Sequence, residues 1–163
     1  MSNSDKVKVI LDVEPGAMTR TTGFMTWNAA IVIKSYFEKM TAALPNMTIL
    51  DISSGNGYLP LHLAKMEHGP ARIIATECTG CIELLRKNVE LNDLQSKIAT
   101  IEYNWGDSVA ATIESQTRLN VETDVDMIVF SDLLYISFRD SIEHLMTHTL
   151  LALTPLSSQT PIL

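Results

Sequence analysis

The chain has 163 residues, 46% hydrophobic and 19% charged, a balance that suits one globular domain and argues against disorder. Nineteen acidic against twelve basic residues give a net charge of −7, and no lysine or arginine stripe appears, so a surface that tracks nucleic-acid phosphates is not expected. Two cysteines are too few for a disulfide framework, and no stretch approaches the roughly 20 apolar residues that would span a bilayer.

Met1 to Lys8 is polar and charged. It lacks the apolar centre of a signal peptide and is too short and acidic for a transit peptide, so the expected location is the cytoplasm, with the nucleus second. Val7 to Val13 reads as an edge strand that Glu14-Pro15-Gly16 breaks, giving an N-terminal segment over 1–20 ahead of a domain over 21–163. Trp27 to Ala43 carries Ala30, Ile33, Phe37 and Met40 at helical spacing, with Thr26 as the expected N-cap. Then comes an alternation. Strands are expected at Met47–Ile52, Arg72–Thr76, Ile98–Tyr103 and Asp126–Ser131. Helices are expected at Leu59–Glu67, at Ile82–Asn92 with Leu84, Leu85, Val89 and Leu91 inward, and at Asp140–Leu151. Ala110 to Thr123 holds a short helix and a loop, and Pro161-Ile162-Leu163 reads as the opening of a fifth strand. Short, wholly apolar strands alternating with helices predict an α/β fold, a mostly parallel sheet covered on both faces. Ligands of such sheets gather at the carboxyl ends of the strands, where the winding reverses.

The strongest chemical signal is Ile49-Leu50-Asp51-Ile52-Ser53-Ser54-Gly55-Asn56-Gly57-Tyr58, an apolar strand with an acid near its end that runs through small residues into a helix. Glycines there allow positive φ and let a ligand lie against bare backbone, and the helix start offers amide donors. Neither GxxxxGK[ST] nor GxGxxG is present, and an ordinary tight turn would look the same. A second signal decides. Glu77 stands at the end of the next strand, 26 positions after Asp51, where a carboxylate can accept from both hydroxyls of a ribose. Together the two read as a nucleoside site.

With these residues the chain resembles the seven-strand (class I) S-adenosylmethionine-dependent methyltransferases, and within them the protein lysine methyltransferases marked by D-x-x-Y (methyltransferase family 16). The likeness runs from residue 20 to about 150. It rests on Ile49 to Tyr58, on Glu77, on Leu84 to Asn92, on Trp105-Gly106 and on Asp132-Leu133-Leu134-Tyr135. Thr22 to Ala30 is similar to the T-G-x-x-x-W segment of the branch that acts on an elongation factor. The resemblance implies that Gly55 and Gly57 back the methionine part of the cofactor and that Glu77 holds its ribose. Trp105, Gly106 and Asp107 would meet the adenine, and Trp27 would pack beside the cofactor or anchor the first helix. Asp51, Ser53 and Ser131 complete the implied cofactor-binding set. The implied catalytic pair is Asp132, which would hold and orient the incoming ammonium, and Tyr135, which would shape the pocket. Without the other motifs, Asp132 reads as a turn cap and Tyr135 as core.

Two departures follow. The family usually has glycine where this chain has Ser53, so a Cβ and hydroxyl are expected to intrude on the cofactor and weaken its binding. The chain also ends before the rest of the fifth strand, a further helix and a closing antiparallel pair, so an incomplete domain with an open sheet edge is expected, and with it a homodimer through that edge. Cys78-Thr79-Gly80-Cys81 is expected to line the loop beside the ribose, with no metal. Two further ligands are lacking nearby, and His144 and His148 lie far along the chain. The expected function is methyl transfer to a lysine of a protein, an elongation factor or a chaperone. A methyltransferase-fold binding partner of weak or no activity, and a small-molecule methyltransferase, are the alternatives.

Overall fold

The computed structural model describes residues 6–10, 22–39, 44–131 and 133. A short 3-10 turn, Thr22–Phe24, precedes helix α1 (Asn28–Phe37). Four strands follow, β1 (Thr48–Ile52), β2 (Arg72–Glu77), β3 (Ile98–Glu102) and β4 (Met127–Phe130). Between them lie α2 (Tyr58–Lys65), α3 (Ile82–Leu91), α4 (Val109–Gln116) and α5 (Val121–Asp124). The strands pair in the order β3-β2-β1-β4, every pair parallel. The winding therefore reverses between β1 and β4, where Asp51 registers with Val129 and Ile52 with Phe130.

Side chains alternate across a strand, so each apolar run feeds two cores. Ile49, Ile73, Ala75, Ile98, Met127 and Val129 face α1, α2 and α3. Leu50, Ile52, Ile74, Ile101 and Ile128 face α4 and α5. Both faces are covered, which is why the strands carry no polar alternation over most of their length. The same period of two puts Asp51 and Glu77 on the face of Ile49 and Ala75, at the carboxyl ends of neighbouring strands.

Several boundaries differ from the sequence reading. Among the described residues α1 ends at Phe37 rather than reaching Ala43. Thr26 does not cap it: Trp27 holds the cap position without a side-chain bond, and the Thr26 hydroxyl instead accepts from Asn56 Nδ2 at 2.9 Å. Leu91 is exposed, at 42%, because it falls on the solvent side of the last turn of α3. The stretch 110–123 contains most of α4 and the start of α5. Residues 7–10 join no strand of the described sheet. Asn88 on α3 and Asn92 at its C-terminal cap, four residues apart, hold them: Ile10 donates to Asn88 Oδ1 and accepts from Asn88 Nδ2, and Lys8 pairs likewise with Asn92. Two amides thus stand in for a neighbouring strand, while Val7 and Val9 pack on the core.

The break at 14–16, the helix expected at Asp140–Leu151, the fifth strand and the homodimer edge lie outside the described residues. Among the described residues, no helix is long and apolar enough to cross a membrane.

Candidate cofactor site

β1 delivers the chain into a loop whose conformation demands small residues. Gly55 and Gly57 have φ of 59° and 86°, and Ser53 also lies in the left-handed region, at 60°. A Cβ on Gly57 would stand 2.8 Å from Leu85 Cδ1, so this glycine lets α2 start hard against α3. A Cβ on Gly55 would stand 3.2 Å from the Gly23 carbonyl, so residues 22–25 lie against the loop. Thr76 on β2 fixes the loop's entry. Its hydroxyl donates to the Asp51 carbonyl and accepts from Ser53 N, and its carbonyl accepts from Ser54 N.

Glu77 faces this loop. Its Oε1 accepts from Gly55 N at 3.0 Å and its Oε2 from Cys78 N at 2.7 Å, with the residue only 6% exposed. Asp51 is 2% exposed, and its Oδ2 has no hydrogen-bond partner among the described residues. Burial pushes the Asp51 carboxyl up to about 7, Ser54 opposes this through a hydrogen bond, and the Glu77 charge adds to it. Burial likewise pushes Glu77 up to about 7, reinforced by the Cys78 thiol and opposed by the amides of Cys78 and Gly55. Two buried acids side by side, one with an orphaned oxygen, fit a ligand that brings positive charge and hydroxyl donors.

A carboxyl that holds its proton more tightly when folded loses stability as pH rises from about 4, its ordinary value, towards its folded value. For Asp51 that window closes at about 7. Asp51→Asn is therefore expected to gain stability on the wild type between about pH 5 and about pH 7 and no more above that. Urea melts across this range check it, and a constant difference would contradict it.

Ser53, expected to intrude on the cofactor, has another partner: Trp105 Nε1 donates to its hydroxyl at 2.8 Å. The loop after β3 is thereby tied to the loop after β1. Ser53→Ala is expected to cost about 1 kcal/mol, whereas Ser53→Gly should be near neutral because relief of the left-handed φ offsets the lost bond. Equal effects of the two in thermal melts would contradict this. Gly106, at φ 101°, makes the turn that follows, and Gly106 and Asp107 are exposed. Ser131 follows β4 directly, beside the end of β1. Trp27 is half-buried, just beyond the Thr26–Asn56 bond. Asp132 and Tyr135 lie outside the described residues.

The sequence reading missed Asn56. Fully buried inside the glycine loop, it accepts from Tyr58 N to cap α2, donates to Thr26, and offers its carbonyl to Asn88 Nδ2. Its position between two glycines was the available signal, since Asn is a common cap.

The sequence model of the family described as lysine methyltransferase matches residues 6–163. The protein-lysine N-methyltransferase EFM3 of Chaetomium thermophilum is 28% identical over 118 residues, covering 71% of this chain and 34% of that protein. The protein-lysine N-methyltransferase EFM6 of Saccharomyces cerevisiae is 27% identical over 110 residues, covering 65% of this chain and 44% of that protein. The chain thus spans between a third and a half of the length of these relatives. Among solved structures, the tRNA methyltransferase TrmK of B. subtilis superposes with a TM-score of 0.56 at 20% identity, over 85% of this chain and 49% of that one. That likeness is one of fold, the Rossmann-like methyltransferase fold.

Proposed function

The chain belongs to the lysine methyltransferase family, and on that premise we propose that it binds S-adenosylmethionine at the carboxyl ends of β1 and β2 and methylates a lysine side chain of a protein. One observation carries this reading: Glu77, one strand away from the glycine loop, turns into it and bonds Gly55 N directly, beside the unpartnered Oδ2 of Asp51. Acid and glycine loop are in direct contact. Glu77 takes the ribose hydroxyls, the loop carrying Gly55 backs the methionine end, and the loop of Trp105, Gly106 and Asp107 meets the adenine edge. Asp51 supplies negative charge beneath the cationic end of the ligand.

Bound S-adenosylmethionine supplies a methyl group on a sulfonium, open to in-line displacement. What the protein must add is alignment of a neutral amine. Lysine, with a reference pKa of about 10.4, arrives protonated, so a proton has to leave first. Asp132 and Tyr135, a few residues after β4 in the sequence, are assigned to this step: the carboxylate holds and orients the ammonium, and the phenol shapes the pocket. The substrate is a translation elongation factor or a chaperone, met in the cytoplasm.

Calorimetric titration of the chain with S-adenosylhomocysteine tests the cofactor half, with micromolar binding expected. Tritium transfer from S-adenosylmethionine into a cell extract tests the substrate half. A labelled protein band that survives nuclease and disappears with protease supports it. Label confined to small metabolites overturns it.

A further inference from the structure

Cys78 and Cys81 flank a tight turn between β2 and α3, in which Cys81 N and Ile82 N both donate to the Cys78 carbonyl, at 2.9 and 3.0 Å. That turn brings both thiols to the carboxylate at the tip of β2. One sulfur from each cysteine and one oxygen of Glu77 all lie within 4.8 Å of one another. Glu77 and Cys81 are buried and Cys78 is half-buried. Read along the chain, the C-x-x-C lacked further ligands. The fold supplies a third from the adjacent residue.

The Cys78 thiol is pushed above its ordinary value, first by its hydrogen bond with Cys81 and then by burial. A metal that binds such a thiol displaces its proton. Tetrahedral zinc holds sulfur at about 2.3 Å and carboxylate oxygen at about 2.0–2.2 Å, placing ligand atoms roughly 3.5–3.8 Å apart. Closing the cluster to that size takes shifts of about 1 Å or less, shared among the three side chains. Gly23 lies over it: a Cβ there would stand 2.8 Å from Cys81 Sγ and 3.3 Å from Glu77 Oε1.

We propose that Glu77, Cys78 and Cys81 form a three-ligand site for a thiophilic divalent cation of the zinc class, with a fourth position left for water. The exclusivity that follows rests on the cofactor reading above. A Glu77 carboxylate engaged by a metal is withdrawn from the ribose, so metal and cofactor compete for one side chain. The site is inhibitory rather than catalytic.

The test uses the whole chain, reduced and metal-free, titrated with cobalt(II) and then with zinc. One cobalt per chain should give a thiolate-to-metal charge-transfer band that zinc abolishes. Cys78→Ser and Cys81→Ser should each lose the band and weaken zinc binding at least about tenfold. No band in the wild type, or a band kept by both variants, overturns the site, and the wild-type result stands whether or not the variants fold. Saturating zinc should weaken S-adenosylhomocysteine at least about tenfold, and the nucleoside should weaken zinc by the same factor. Nucleoside binding indifferent to zinc overturns the exclusivity. A chain that gives the cobalt band but never binds the nucleoside overturns the cofactor reading and upholds the metal site.

Discussion

Glu77→Gln is expected to weaken S-adenosylhomocysteine binding by roughly 30- to 150-fold, or about 2–3 kcal/mol. A ribose diol donates two hydrogen bonds, and only a carboxylate offers an acceptor for each while keeping the charge that strengthens both. Glutamine keeps one acceptor and turns a donor towards the other hydroxyl. The same oxygens also receive the amides of Gly55 and Cys78, so the substitution disturbs the loop as well as the ligand. Against that loss stands a gain, for the amide ends the cost of ionising an acid buried beside Asp51. The melting temperature should therefore shift little at about pH 8 while the affinity falls steeply. Calorimetry and thermal melts on the same sample separate the two. Affinity within about threefold of the wild type would remove Glu77 from the site.

A comparably large effect, on stability this time, is expected from Asn88→Leu, which should destabilise the fold by about 3–5 kcal/mol. Asn88 is 0% exposed, and its side chain meets three backbone groups: Ile10 N at 2.7 Å, Ile10 O at 3.2 Å and Asn56 O at 2.8 Å. Leucine has nearly the same shape but offers none of these bonds. The Asn56 carbonyl is buried and the two Ile10 groups partly so, and a buried group left unpaired costs about 1–3 kcal/mol, so the penalty exceeds that of one lost hydrogen bond. Asn92→Leu frees Lys8 and the Asn88 carbonyl but leaves the buried Asn56 carbonyl paired, and should cost less. Urea denaturation reads both. A loss below about 1 kcal/mol at Asn88 would mean that water replaces the amide there.

These two residues mark what could and could not be read from the chain itself. The four strands were legible because burial on both faces leaves a continuous apolar run, as in Ile73-Ile74-Ala75, and a run of that kind ends where the sheet does. Glu77 was legible for the same reason: an acid at the tip of such a run has only the crevice to face. The grip of Asn88 on Ile10 was not. It joins residues 78 apart through side chain and backbone, and leaves no local period in the sequence. Thr26 shows the limit of cap preferences, since its hydroxyl served Asn56 of a distant loop instead of its own helix. Ser53 shows a further limit. The bond that its hydroxyl accepts from Trp105, 52 residues along the chain, leaves no trace in the local sequence. The third ligand beside the cysteines was hidden in plain view at the neighbouring position, because sequence spacing says nothing about where a carboxylate turns.

The hydrogen bond from the Trp105 indole to Ser53 carries one more consequence. The chain has only two tryptophans, and the other, Trp27, sits on the segment laid against the glycine loop. Indole emission, excited at wavelengths beyond the absorption of the four tyrosines, therefore originates at one end of the sheet. Wavelength and quenching become a built-in optical gauge of that end alone, free of any dye or tag.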